Sequence, residues 1–94
     1  MGIMQCTELL VANEVGLHAR PAALFVKEAL KFESNVRLRN LTTGGEEWED
    51  AKSILGVLSL GVNKDHVIEV RAEGPDEEEA IAALSKLVRS DFKS

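Results

Sequence analysis

Apolar and polar positions switch period several times along the chain, and each switch predicts an element. From Gln5 to Ala12, Thr7, Leu9 and Val11 alternate with Cys6, Glu8 and Leu10, the period of a strand with one buried face, and the first set is expected to face the core. Asn13-Glu14-Val15-Gly16 breaks it. From Ala19 to about Lys31, apolar side chains at Ala22, Phe25, Val26, Ala29 and then Leu30 or Phe32 recur at three and four residues, predicting a helix. Asn35 to Leu41 returns to alternation, with Val36 and Leu38 between Arg37 and Arg39. Thr42-Thr43-Gly44-Gly45 reads as a turn, and Glu46 to Asp50 as a short return strand centred on Trp48, a packing residue rather than a ligand platform.

Ser53 is a good N-cap for a short helix from Ile54 to about Leu60. That helix is apolar nearly all round, and so small a domain cannot bury every face, so part of it is expected on the surface. A loop at Gly61–Asp65 leads to a strand from His66 to Glu73. Gly74-Pro75 ends it. Asp76, with Glu79 three residues later, forms a capping-box-like pair, and Ala80, Ile81, Leu84, Leu87 and Val88 give the last helix one apolar stripe. Its acidic residues Glu77 to Glu79 suit the positive end of a helix and read as structural. The order is β-α-β-β-α-β-α, an α+β fold with a four-stranded antiparallel sheet and three helices on one face. Pattern alone does not separate it from a ferredoxin-like fold with an extra helix.

Ninety-four residues form a single domain, 1–94, large enough for one core. The net charge of −5 argues against nucleic acid as a partner. The charge is uneven: residues 1–45 carry five basic and four acidic side chains, residues 46–94 six and twelve. Cys6 is the only cysteine, so no internal disulfide can form, and it reads as a small strand residue. No run of about 18 apolar residues exists to span a membrane. Met1-Gly2-Ile3-Met4-Gln5 has neither a basic segment nor an apolar core for export, and Cys6 breaks the myristoylation pattern, so a cytoplasmic location is expected.

The chemistry gathers at Gly16-Leu17-His18-Ala19-Arg20-Pro21-Ala22. A glycine ends the segment before, a histidine stands where a helix begins, and a proline falls in the first turn, where a missing N–H costs nothing. Unpaired N–H groups and the positive end of the helix dipole then point at the space beside His18, which suits phosphate. Arg20 can add a forked, permanently charged donor there. Imidazole is a nucleophile when one ring nitrogen is bare. Together these features suggest a histidine that is itself phosphorylated. His66 lacks this context and reads as a residue without chemistry. Two histidines and one cysteine have no zinc-ligand spacing, so neither metal nor cofactor is expected.

Gly16–Ala23 followed by Leu24-Phe25-Val26-Lys27-Glu28-Ala29 resembles the active-site signature of HPr, the histidine-containing phosphocarrier family of the bacterial phosphoenolpyruvate-dependent sugar phosphotransferase system. Ala51-Lys52-Ser53-Ile54-Leu55-Gly56-Val57-Leu58-Ser59-Leu60-Gly61 resembles that family's second signature. The resemblance spans essentially the whole chain. It implies an open-faced β-sandwich and a carrier rather than an enzyme with turnover. His18 would accept a phosphoryl group on Nδ1 from phospho-enzyme I and pass it to the IIA domain of a sugar transporter. The N–H groups of Ala19 and Arg20 and the Arg20 guanidinium would hold the phosphoryl oxygens, loosely enough for release. A partly exposed His18 is therefore expected.

The same resemblance makes Ser53 a candidate phosphosite for an HPr kinase/phosphorylase, compatible with its role as a cap. Partner docking would use Ala23 and Lys27 with Ile54, Leu55 and Leu58, Lys27 attracting acidic partners. A transcriptional regulator is a further candidate partner, and a monomer is expected. The hairpin Asn40–Glu47 is about four residues longer than typical for the family, with Glu46, Glu47, Glu49 and Asp50 crowded just before Ser53. Two rivals remain open: a carrier in a regulatory, nitrogen-type phosphotransferase branch, and a module that binds regulators through Ile54–Leu58 while His18 is idle.

Overall fold

A computed structural model describes residues 4–93. Met1, Gly2 and Ile3, part of the start read as carrying no export signal, lie outside the described residues. The elements run β1 (Gln5–Val11), α1 (Ala19–Ala29), β2 (Asn35–Asn40), β3 (Glu49–Asp50), α2 (Ile54–Ser59), β4 (His66–Glu73) and α3 (Glu77–Arg89). The expected order is therefore the observed one. The sheet is antiparallel throughout, in the order β1-β4-β2-β3. No helix among the described residues is long and apolar enough to cross a membrane.

Alternation decides which face of the sheet is covered. Leu9 and Val11 of β1, Val36 and Leu38 of β2, and Ile68, Val70 and Ala72 of β4 are buried together with Ala22, Phe25 and Ala29 of α1, Val57 of α2, and Ala80, Leu84, Leu87 and Val88 of α3. Each fully buried Leu, Ile, Val or Phe side chain contributes roughly 1.5–3 kcal/mol, so a shift of register by one residue would forfeit most of this face. The other face carries Cys6, Glu8, Arg37, Arg39, Glu69 and Arg71. Pairings of Cys6 with Arg71, Arg71 with Arg37, Glu8 with Glu69 and Glu69 with Arg39 set these residues in two rows.

Trp48 lies on this open face and not in the core. The guanidinium groups of Arg39 and Arg71 lie over its ring, 4.8 and 4.4 Å from the ring centroid. Arg39 is oriented by Glu69, whose Oε1 accepts from Nε at 2.8 Å and lies 2.7 Å from Nη2. Trp48 is thus a packing residue, but its packing partners are cations.

The return strand is shorter than the expected Glu46–Asp50. Only Glu49 and Asp50 pair with β2. The cause is Asn40, 1% exposed, whose Oδ1 accepts from the N–H groups of Thr42 and Thr43 at 3.1 and 3.4 Å. This side-chain-made turn diverts the chain from a hairpin. Leu41 N–H instead donates to Val67 O at 2.9 Å, and Val67 N–H to Thr42 Oγ1 at 2.7 Å, fastening the excursion to β4. The other elements end within two residues of their expected bounds, the first helix at Ala29 rather than Lys31.

The expected capping pair of Asp76 and Glu79 does not form. Asp76 is the N-cap by position but makes no side-chain cap bond. Its carboxylate crosses to the turn after α1, accepting from Glu33 N–H and Ser34 N–H at 2.9 Å each and from Ser34 Oγ–H at 2.5 Å. Glu77, buried, accepts instead from Gly74 N–H at 3.0 Å. Gly74, at φ +154°, sits so close to Ser34 that a Cβ would lie 2.6 Å from its Cα. The Ser34 hydroxyl and the Glu33 N–H hold the Asp76 carboxyl below its ordinary value.

A depressed carboxylate stabilises the fold above its unfolded pKa, about 3.9, and loses that contribution as pH falls through the folded value. Urea unfolding of the wild type and Asp76→Asn across pH 2–7 is expected to show a full stability gap above about pH 5 that closes below about pH 4. A gap that does not change with pH would mean that the carboxylate's charge is not what Ser34 and Glu33 recognise.

Candidate functional site

Asn13 and Gly16 close a tight turn after β1: Gly16 N–H donates to Asn13 O at 3.2 Å, and Asn13 Nδ2 to Gly16 O at 2.9 Å. Gly16 has φ +65°, and an added Cβ would lie 2.2 Å from Val62 O and 2.7 Å from Asn63 Cα. Only glycine tolerates both the dihedral and the approach. Leu17, fully buried, then donates its N–H to Val62 O at 2.9 Å. The turn before α1 is thereby locked to the loop after α2.

His18 follows as the N-cap of α1, extended at φ −121°, ψ 161°, and it makes no side-chain cap bond. The first-turn N–H groups stay available, as a phosphate site requires. Ala19, the first residue of α1, has φ +50°. That conformation costs a non-glycine residue about 1–3 kcal/mol. Arg20 is exposed and forms no ion pair among the described residues. Its fork is open to an incoming anion.

His18 is half-buried, and its Nε2 lies 2.9 Å from Asn63 Oδ1. Asn63, exposed in the loop before β4, was not legible as a partner: 45 residues separate the two. That loop is itself anchored. Asn63 N–H donates to His66 Nδ1 at 3.1 Å, His66 N–H returns to Asn63 O at 3.1 Å, and Asn40 Nδ2 also reaches His66 Nδ1 at 3.1 Å. Asn40 Nδ2 further donates to Leu60 O at 3.2 Å, so this buried amide is satisfied on both ends. His66, which the sequence leaves without a role, holds the residue that touches His18. Its contribution is position rather than chemistry, and no local motif signals it.

The second segment packs beside the first, α2 against α1. Ser53 caps α2, its Oγ accepting from Gly56 N–H at 3.1 Å. Val57 is buried, whereas Ile54, Leu55 and Leu58 are 40%, 77% and 37% exposed. The surface share expected for this helix is therefore present. Ala23 and Lys27 are exposed on α1. Among the described residues, no group of three or more His, Cys, Asp or Glu side chains is placed to hold a metal ion.

Residues 6–90 match the family model described as the PTS HPr component phosphorylation site. The chain belongs to the HPr family of the phosphotransferase system. It is 46% identical over 85 residues to the phosphocarrier protein HPr of Xylella fastidiosa, covering 90% of this chain and 91% of that one. It is also 46% identical over 80 residues to the multiphosphoryl transfer protein of Vibrio cholerae, where it spans 85% of its own length but 20% of that protein. Among solved structures, HPr from Thermoanaerobacter tengcongensis superposes with a TM-score of 0.88 at 45% identity, over 94% of each chain. The HPr architecture, a four-stranded antiparallel sheet with three helices, is the one observed here, which excludes the ferredoxin-like alternative. Membership brings the general role of phosphocarrier, a protein that carries a phosphoryl group rather than turning over a substrate.

Gly16→Ala tests the lock beneath the site. The new Cβ collides with backbone, not with a movable side chain. Equilibrium unfolding is expected to show a loss of roughly 3 kcal/mol, from strain at positive φ together with overpacking. The same substitution at Gly44, φ +72° with nothing within 4 Å, should cost less, which separates collision from dihedral strain alone.

Proposed function

We propose that this protein relays a phosphoryl group, drawn from phosphoenolpyruvate through phospho-enzyme I, to IIA domains of sugar transporters by way of phosphohistidine at His18. The observation that carries the reading is the uncapped N-terminus of α1, with half-buried His18 and, two residues on, an exposed Arg20 that forms no ion pair among the described residues. In the accepting step the Nδ1 lone pair attacks phosphorus. A new N–P bond forms as the bond to the donor atom breaks, and the donor keeps that electron pair. Charge spreads over three phosphoryl oxygens in the transition state. The N–H groups of Ala19 and Arg20 and the Arg20 guanidinium are the donors nearest in sequence to meet it, and their exposure leaves the group free to depart.

Partners would dock on Ala23, Lys27, Ile54, Leu55 and Leu58. These residues are all exposed, and they lie on two helices that pack together. An apolar patch with a cation at its side fits an acidic partner with an apolar centre. Ser53 is the candidate regulatory phosphosite. Its half-buried Oγ precedes Ile54 and Leu55, so phosphorylation would put about two negative charges beside the patch and repel such a partner. Work in the cytoplasm follows from the same reading.

Incubation with active enzyme I, magnesium and phosphoenolpyruvate is expected to add one phosphate to the wild type by intact mass, none to His18→Ala, and the adduct should disappear on brief acid treatment. An adduct that persists on His18→Ala would move the acceptor elsewhere, and no adduct on the wild type with its cognate enzyme I would leave the regulator-binding reading in front. Ser53→Asp should slow transfer from enzyme I by about tenfold or more, the scale of one or two lost charge-assisted contacts. An unchanged rate would separate Ser53 from docking.

A further inference from the structure

The geometry points to Asn63 as a positioning residue for His18: its carbonyl oxygen holds the proton on Nε2, leaves Nδ1 as the bare nucleophilic nitrogen, and steadies the positive ring that forms when Nδ1 takes phosphorus. This deepens the phosphocarrier reading and rests on it. Three observations support it.

First, Oδ1 of an amide can only accept, so the 2.9 Å contact requires a hydrogen on His18 Nε2. A neutral imidazole has one N–H, so Nδ1 then carries the lone pair. No hydrogen bond to Nδ1 forms among the described residues, so that lone pair is not engaged.

Second, Asn63 is built into place rather than merely near. Its N–H and C=O both pair with His66, His66 Nδ1 is gripped also by buried Asn40, and the adjacent Val62 carbonyl receives Leu17 N–H. Gly16 lies too close to Val62 and Asn63 for any side chain. Both ends of the His18–Asn63 hydrogen bond therefore stand on one locked unit, and the imidazole need not search for its acceptor.

Third, the electron count of the step gives the contact a purpose. When the Nδ1 lone pair becomes the N–P bond and Nε2 keeps its hydrogen, the ring becomes an imidazolium. Its N–H···O bond to Asn63 changes from a neutral to a charge-assisted one, about twice as strong. An acceptor that gains strength as charge develops assists the step. The ring keeps the same proton while the group is held, and it reverts to a neutral leaving group when the N–P electron pair returns to Nδ1. A neutral amide suits a carrier here, because a full carboxylate would hold the charged ring more deeply.

The test compares the wild type, Asn63→Ala and Asn63→Asp, each isotopically labelled in its histidines. In the unphosphorylated protein, imidazole nitrogen chemical shifts are expected to show Nε2 protonated and Nδ1 bare in the wild type and in Asn63→Asp. In Asn63→Ala the two His18 shifts should move towards each other as tautomers mix, with His66 unchanged. Phosphoryl transfer from enzyme I at saturating donor should fall about tenfold in Asn63→Ala, the scale of one lost hydrogen bond to a charged group, and recover in Asn63→Asp. Nδ1 protonated in the wild type, or His18 shifts unaltered by Asn63→Ala, would overturn the assignment. So would mixed tautomers accompanied by a wild-type transfer rate. The spectra need no donor protein, so a wild type that shows the expected tautomer but takes no phosphate counts against the phosphocarrier reading and not against the hydrogen bond.

Discussion

The structure depends on a backbone-to-backbone contact at one point, where Gly16 and Leu17 meet Val62 and Asn63. The Leu17 N–H to Val62 carbonyl bond and the space that admits no Cβ at Gly16 join the start of α1 to the loop after α2. Everything that the site needs is referred to this contact. It places His18 at the mouth of α1, sets the loop that carries Asn63, and brings the two helices with the exposed apolar residues onto one side of the molecule. A contact made of backbone has little freedom to drift, because its atoms are fixed by peptide planes rather than by rotamers.

On that footing the site is assembled from modest parts. A helix end without a side-chain cap and an alanine at positive φ are each locally unsatisfied or unfavourable, and Arg20 beside them forms no ion pair among the described residues. Such features persist only where surrounding structure holds them. Leu17 and Ala22, both fully buried, anchor the segment on either side of them. A carrier gains from this arrangement. Its anion site is open on arrival, and no deep pocket forms around the phosphoryl group to impede its departure. The far end of α1 is fastened separately: Asp76 gathers Glu33 and Ser34, and Gly74 closes onto Ser34.

The fold was legible in the sequence wherever one face of an element had to be dry. Leu9 and Val11, Val36 and Leu38, Ile68 and Val70 are where alternation puts them, and Phe25, Ala29, Leu84 and Val88 are where a helical period puts them. Ser53 was legible because an N-cap is local, its partner Gly56 only three residues on. Reading failed where a side chain had a better partner far away. Asp76 has the spacing of a capping box, but the N–H groups of Glu33 and Ser34, more than forty residues earlier, take its oxygens. Trp48 reads as the centre of a strand, but Asn40 turns the chain aside and two arginines of the sheet's open face take the ring.

The sequence by itself determined the order of elements, the core-facing residues, and the run from Gly16 to Ala22 with its histidine, arginine and proline. Those follow from periodicity and from the chemistry of a helix's first turn, both readable within a few residues. It also carried the likeness to HPr, since two signatures stand in order along the chain. Only the tertiary structure decided what surrounds His18. Asn63 lies in a loop with no helical or strand pattern to declare it, and His66 and Asn40 look like ordinary strand residues. Their roles exist because folding brings Val62 against Gly16, and a hydrogen bond between residues 45 apart has no trace in local sequence.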